Sequence, residues 1–108
     1  MISLQADGSA MYSLQALWTQ ARERLPCTTI LLNNRKYNIL IGEYRNVGAV
    51  PGPVAMGMLD LSNPEIDWVA MAGSLGVEAA RATTLEECGA LIQASFRRPG
   101  PFLIDLTI

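Results

Sequence analysis

The apolar residues of this chain fall into two kinds of run. The first kind is short and does not alternate. Cys27-Thr28-Thr29-Ile30-Leu31-Leu32 is β-branched and apolar without alternation, which predicts a strand covered on both sides, as in a parallel sheet. Phe102-Leu103-Ile104-Asp105-Leu106-Thr107-Ile108 reads as a final strand. Ile2-Ser3-Leu4-Gln5 and Val77–Ala82 read as two shorter strands. The second kind repeats at helical spacing. Met11, Leu14, Leu17, Trp18 and Ala21 predict a helix over Ala10–Arg24, with Ser9 as its N-cap and Pro26 as its stop. Leu85, Cys88, Leu91, Ile92, Ser95 and Phe96 form the expected buried stripe of another helix, capped by Thr83 or Thr84 and ended by Pro99-Gly100-Pro101. Ile66, Val69, Ala70 and Gly73 give a third helical face, which Asn63-Pro64 should open and Gly73–Gly76 should close. Tyr37–Tyr44 reads as a short helix. The glycine- and proline-rich stretch from Asn46 through about Gly57 reads as a loop, either a lid or a surface excursion.

This alternation of strand and helix predicts an α/β fold: three layers, α/β/α, around an open and mostly parallel sheet. The first strand, helix and strand make a crossover unit, which is right-handed almost without exception. A length of 108 residues suits one domain, and no repeat, linker or low-complexity tract interrupts it. The first strand starts abruptly at Met1, as the truncated edge of a larger sheet would.

Half of the residues are hydrophobic, with a mean hydropathy of +0.22, more than a free-standing domain of this size needs. The surplus is expected to meet a partner or a missing part of the same fold. No apolar run reaches the roughly 20 residues of a membrane span, and no basic-then-apolar leader opens the chain. Eight basic and ten acidic residues give a net charge of −2, with no basic face to track nucleic acid. The chain has no histidine, which removes Ser-His-Asp and Cys-His nucleophile systems and nearly all zinc sites. Cys27 and Cys88 lie in apolar segments and are expected to be buried free thiols, as suits a reducing cytoplasm.

The candidate chemistry lies at the ends of the first two strands. Asp7 and Asn34 stand 27 positions apart, and each follows a short apolar run. If those runs are neighbouring parallel strands, both side chains emerge at the carboxyl edge of the sheet, where open α/β folds bind ligands. A carboxylate, an amide oxygen and a nearby carbonyl suit Mg²⁺. Gly8 and Ser9 open a helix whose first N–H groups can meet a phosphate, and Gly8 permits close approach. Taken singly, Asp-Gly-Ser and Asn-Asn are ordinary turns; their spacing within a crossover unit is what points to a site.

The pair resembles the cofactor motif of thiamine-diphosphate-dependent enzymes, in which Gly-Asp-Gly is followed some two dozen or more residues later by Asn-Asn. Asp7-Gly8-Ser9-Ala10-Met11-Tyr12-Ser13, Ala16-Leu17-Trp18-Thr19, Asn33-Asn34-Arg35-Lys36-Tyr37, Asp67-Trp68-Val69 and Gly100-Pro101-Phe102-Leu103-Ile104-Asp105 look like the acetolactate synthase and benzoylformate decarboxylase branch. The resemblance covers essentially the whole chain. It implies that residues 1–108 are the latter part of a diphosphate-binding domain. It implies Mg²⁺ on Asp7, Asn34 and the main-chain carbonyl of Lys36, with the diphosphate on the N–H groups of Gly8 and Ser9. Tyr37 would lie near the cofactor, or simply pack. Ile39 and Leu40 would line the substrate pocket, or form a core-facing helix turn. Ala6 replaces the first glycine, a mild departure. The activating glutamate of the family's pyrimidine-binding domain and the apolar residue that bends the cofactor have no counterpart here, so no catalytic residue is assigned.

Two functions are therefore expected. One is the Mg²⁺ and thiamine diphosphate anchor of an oligomeric enzyme acting on 2-oxo acids, inactive until a partner supplies the pyrimidine-binding domain. The other is a non-catalytic assembly module that pairs through its unfinished sheet. A flavodoxin-like or nucleotide-binding domain has little support, since neither a Gly-x-Gly-x-x-Gly nor a Walker pattern is present. Replacing Asp7 by Ala is expected to remove Mg²⁺-dependent diphosphate binding with little loss of fold.

Overall fold

The computed structural model describes residues 1–108. Four strands, β1 (Ile2–Ala6), β2 (Thr28–Asn33), β3 (Glu78–Ala82) and β4 (Phe102–Thr107), form one sheet in the order β1-β2-β4-β3. All three pairings are parallel. β2, whose sequence lacks alternation, lies in the centre beside β4, as double coverage requires.

Helices lie on both faces. On one face α1 (Asp7–Ala10), α2 (Ala16–Arg22) and α5 (Trp68–Ser74) close a core of Leu17, Leu31, Trp68, Ala72, Val77 and Leu103. On the other face α6 (Leu85–Phe96) sets Cys88, Leu91 and Ile92 against Ala82, Phe102, Ile104 and Leu106. Cys27 and Cys88 are both buried and both free. Two further helices, α3 (Asn38–Asn46) and α4 (Pro53–Leu59), lie beyond the carboxyl ends of the strands and contact each other. No helix is long and apolar enough to cross a membrane.

β1 is an edge strand. In register, Leu4 lies beside Ile30, which lies beside Ile104, so Leu4 shares the face that α6 covers. Yet α6 packs on β3, β4 and β2, and Ile2 and Leu4 remain 52% and 63% exposed.

Four local expectations are corrected. The helix predicted over Ala10–Arg24 begins earlier, at Asp7, and is divided. Between the halves Tyr12 N–H reaches Ser9 O and Ser13 N–H reaches Ala10 O, three residues back, so the winding tightens. Ser9, Tyr12 and Ser13 are weak helix formers, which fits a break there. Ser9 is consequently no cap: its hydroxyl donates to the Ala6 carbonyl at 3.2 Å from inside the helix. The expected loop contains α4, because Pro53 stands at the helix start, where its fixed φ helps and its missing N–H costs nothing. Asn63-Pro64 does not open α5; it lies in a turn closed between Ser62 and Glu65, and Asp67 caps the helix by accepting Ala70 N–H at 3.0 Å. Leu85 and Phe96, placed on the buried stripe of α6, are its terminal residues and are 77% and 63% exposed.

A candidate cofactor-anchoring site at the carboxyl edge

β1 and β2 run side by side with Ala6 opposite Leu32, so Asp7 and the Asn33-Asn34 pair leave the sheet at the same rim. Asp7 is 1% exposed. Its Oδ2 accepts the Arg35 N–H at 2.6 Å and its Oδ1 accepts the Gly8 N–H at 2.9 Å. The first of these bonds spans 28 positions and ties the end of β1 to the turn after β2. Arg35 takes a positive φ of 58°, which turns the chain sharply there. Asn34 Oδ1 accepts the Lys36 N–H at 3.2 Å, a local bond that shapes the same turn. Beyond it Tyr37 N–H donates to Leu59 O at 2.9 Å and Leu61 N–H donates to Arg35 O at 2.8 Å. These two bonds pair Lys36 with Asp60 and fasten the turn to the end of α4. The Lys36 carbonyl takes neither of them.

The charge balance at Asp7 is unusual. No basic side chain pairs with it; Arg35 reaches outward to Glu65 at 3.8 Å. The carboxyl group is held out of water by main-chain donors alone. The neighbouring donors are hard oxygens: the Asn34 amide and the Lys36 carbonyl. No group of three or more His, Cys, Asp or Glu gathers anywhere in the chain, so an ion here would need oxygens other than carboxylates beside Asp7. One carboxylate, one amide and one carbonyl fit Mg²⁺, which keeps waters and phosphate oxygens in its remaining positions.

The Tyr37 ring covers Gly8. A Cβ on Gly8 would stand 2.7 Å from Tyr37 Cδ1, so glycine is what permits the ring to lie there. The Gly8 N–H points to Asp7 rather than outward. In front of these residues opens a cleft of about 350 Å³, lined by Gly8, Ser9, Asn34, Lys36, Ile39 and Leu40 among others. Ile39 and Leu40 are 76% and 42% exposed and face this cleft, which disposes of a core-facing role. Tyr12 also lines it; nothing in the helical pattern marked that residue. On the far side of Asn34 a second cleft, about 570 Å³, is bordered by Arg35, Lys36, Asp60 and Ser62. There the Ser62 hydroxyl, donating at 2.6 Å, and then the Ser62 N–H, at 2.9 Å, hold the Asp60 carboxyl below its ordinary pKa.

Of the Asn-Asn pair only Asn34 faces the clefts. Asn33 is 4% exposed, and its Nδ2 donates to Asp105 Oδ1 on β4 at 3.0 Å. The sequence offered no signal for that contact, because the partner is 72 positions away.

The parallel sheet, the rim it presents and the paired motif define a cofactor-binding α/β domain. Residues 1–106 match the family described as "Thiamine pyrophosphate enzyme, C-terminal TPP binding domain", and the chain belongs to that family. It is 47% identical over its full length to "Putative acetolactate synthase large subunit IlvX" of Mycobacterium tuberculosis, covering 21% of that protein. It is 35% identical, over 98% of its length, to benzoylformate decarboxylase of Pseudomonas aeruginosa, covering 19% of that protein. Among solved structures, the thiamine diphosphate-dependent 4-hydroxybenzoylformate decarboxylase of Rhodococcus jostii superposes with a TM-score of 0.81 at 35% identity, over 96% of this chain and 19% of that one. The chain thus spans about a fifth of the length of the relatives it matches.

Proposed function

We propose that this chain is the Mg²⁺ and diphosphate anchor for thiamine diphosphate in an enzyme acting on 2-oxo acids. One observation carries the reading: the buried Asp7 carboxylate is held by main-chain donors beside Asn34 and Lys36 and has no cationic partner. Asp7, the Asn34 side chain and the Lys36 carbonyl would hold the ion. The Gly8 and Ser9 main chain would face the diphosphate, with the Gly8 N–H leaving Asp7 as it does so. Tyr37 limits the cleft beside Gly8, and Ile39 and Leu40 offer apolar wall to a substrate. Thiamine diphosphate, when bound, supplies the carbanion chemistry that makes or breaks a bond next to the carbonyl of a 2-oxo acid. This chain positions it and contributes no acid or base of its own, so the chain alone is inactive. A partner, in a homo-oligomer or a second polypeptide, supplies the pyrimidine-binding domain. The two free thiols favour a reducing compartment such as the cytoplasm.

A second reading, an assembly module without catalysis, is favoured by the bare β1 edge with its exposed Ile2 and Leu4. Calorimetric titration with thiamine diphosphate, with and without Mg²⁺ and with and without a pyrimidine-domain partner, separates the two. The anchor reading expects Mg²⁺-dependent binding that Asp7→Ala and Asp7→Asn both abolish. Binding indifferent to Mg²⁺ or to Asp7 refutes it, and turnover of a 2-oxo acid by the chain alone refutes the partner requirement.

A further inference from the structure

We infer that Asp105 and Asn33 form a strap that positions the candidate metal ligand Asn34, so that the two asparagines of the motif divide the work. Asn34 meets the ion, and Asn33 holds Asn34 in place. The inference rests on the anchor reading above and goes beyond it.

Asp105 is 0% exposed at the centre of the sheet. In register it lies between Leu31 of β2 and Arg81 of β3. Burying a carboxylate there is costly before compensation, and an apolar residue of similar size often serves stability as well. Two donors compensate it: Asn33 Nδ2 at 3.0 Å and the Nε of the half-exposed Arg81 at 3.3 Å. The Asn33 bond is the informative one. It runs from the last residue of β2, one position before Asn34, across to the neighbouring strand. The Asn33 carbonyl is held from just beyond the end of β4, by the Ile108 N–H at 3.1 Å. Asn33 is therefore gripped by both main chain and side chain at the point where β2 ends. The next residue leaves the sheet, and the one after it donates to Asp7. With a single carboxylate and two weaker oxygens, the site depends on how well those oxygens are placed. The strap fixes where the chain departs and hence where the Asn34 amide stands. Asp105 and Asn33 touch neither ion nor cofactor; they are positioning residues.

At 108 residues the chain suits solution NMR, which reads metal binding without catalysis. Mn²⁺ is titrated in place of Mg²⁺, and broadening of the Gly8 and Lys36 amide signals gives the midpoint. Asp7→Ala should abolish the site-specific broadening. Asn33→Ala and Asp105→Ala should each raise the midpoint at least fivefold while the spectrum stays folded. Asp105→Asn keeps an oxygen towards Asn33 and leaves Arg81 to water, so its midpoint should lie within twofold of wild type. A role in stability alone would lower the melting temperature and leave the midpoint of the folded protein unchanged. If Asp105→Ala does not fold, Asn33→Ala, which retains the Asp105–Arg81 pair, decides. Wild-type midpoints in folded Asn33→Ala or Asp105→Ala, with broadening lost in Asp7→Ala, overturn the strap and leave the anchor standing. An Asp105→Asn midpoint as poor as that of Asp105→Ala also overturns it. Wild type that broadens no more than Asp7→Ala overturns both.

Discussion

Gly8→Ala tests whether the floor of the cleft is built as described. Gly8 is the second residue of α1, and its φ is not positive, so alanine is allowed there by the backbone. In an open helix the change would gain up to about 1 kcal/mol. Here the new Cβ meets Tyr37 Cδ1 at 2.7 Å and Cε1 at 3.0 Å. Carbon atoms pack at about 3.5–4.0 Å, so the ring must retreat by close to an ångström. Overpacking of this kind costs about 1–3 kcal/mol. After the helix gain is subtracted, a net loss of about 1 kcal/mol is expected. In a Tyr37→Ala background the obstacle is gone, and Gly8→Ala should become neutral or stabilising by about 0.5 kcal/mol. Urea denaturation of the four proteins in this cycle measures the coupling, expected near 1.5 kcal/mol. If Gly8 faces the diphosphate as proposed, thiamine diphosphate binding should weaken in both Gly8→Ala proteins, because the added methyl group would keep a phosphate from the main chain. An equal cost of Gly8→Ala with and without Tyr37 would show that the ring is not what excludes a side chain there.

Three further outcomes follow from the geometry. Asp67→Ala should cost about 1 kcal/mol in urea melts through loss of the α5 cap, whereas Asn63→Ala should stay within about 0.5 kcal/mol of wild type. Asp60 keeps its proton less readily than an ordinary carboxyl, so the Ser62 contacts favour the folded turn above the ordinary carboxyl range and lose that effect as pH falls through the lowered value. Ser62→Ala should therefore move the Asp60 ¹³C-carboxyl titration upward towards the ordinary value. Cys27 and Cys88, 2% and 5% exposed, should react with a thiol reagent only in urea, and a native protein that reacts at once would contradict their burial.

The layers of the fold were legible because burial leaves a direct trace in composition. β2 lacks alternation, and it is a central strand covered on both faces. The meeting of Asp7 with the Asn34–Lys36 turn was legible too, since parallel register brings adjacent strand ends to one rim. Punctuation was read less well. Pro53 looked like a loop signal and is a helix start; Asn63-Pro64 looked like a helix start and is a turn before the true cap, Asp67. Those residues suit more than one local structure, and the neighbouring contacts decide among them. The Ser9 cap failed because the helix winds from Asp7, whose carboxylate draws in the Gly8 N–H. Asp7→Ala also removes the acceptor of the buried Gly8 N–H and the part-buried Arg35 N–H, and orphaning a buried donor costs about 1–3 kcal/mol, so some loss of stability should accompany loss of binding. Contacts such as Asn33–Asp105 and Tyr37–Gly8 left no trace in periodicity, because they depend on which segments become neighbours.

The order of the strands has a consequence for how the molecule is made. β4 follows the other three strands in the chain, yet it is the keystone between β2 and β3, and without it β3 shares no hydrogen bond with the β1–β2 pair. Both cores draw on its residues. A nascent chain must therefore hold β3 apart from the β1–β2 pair, with both cores incomplete, until β4 emerges, which lengthens its exposure to chaperones and to unwanted association.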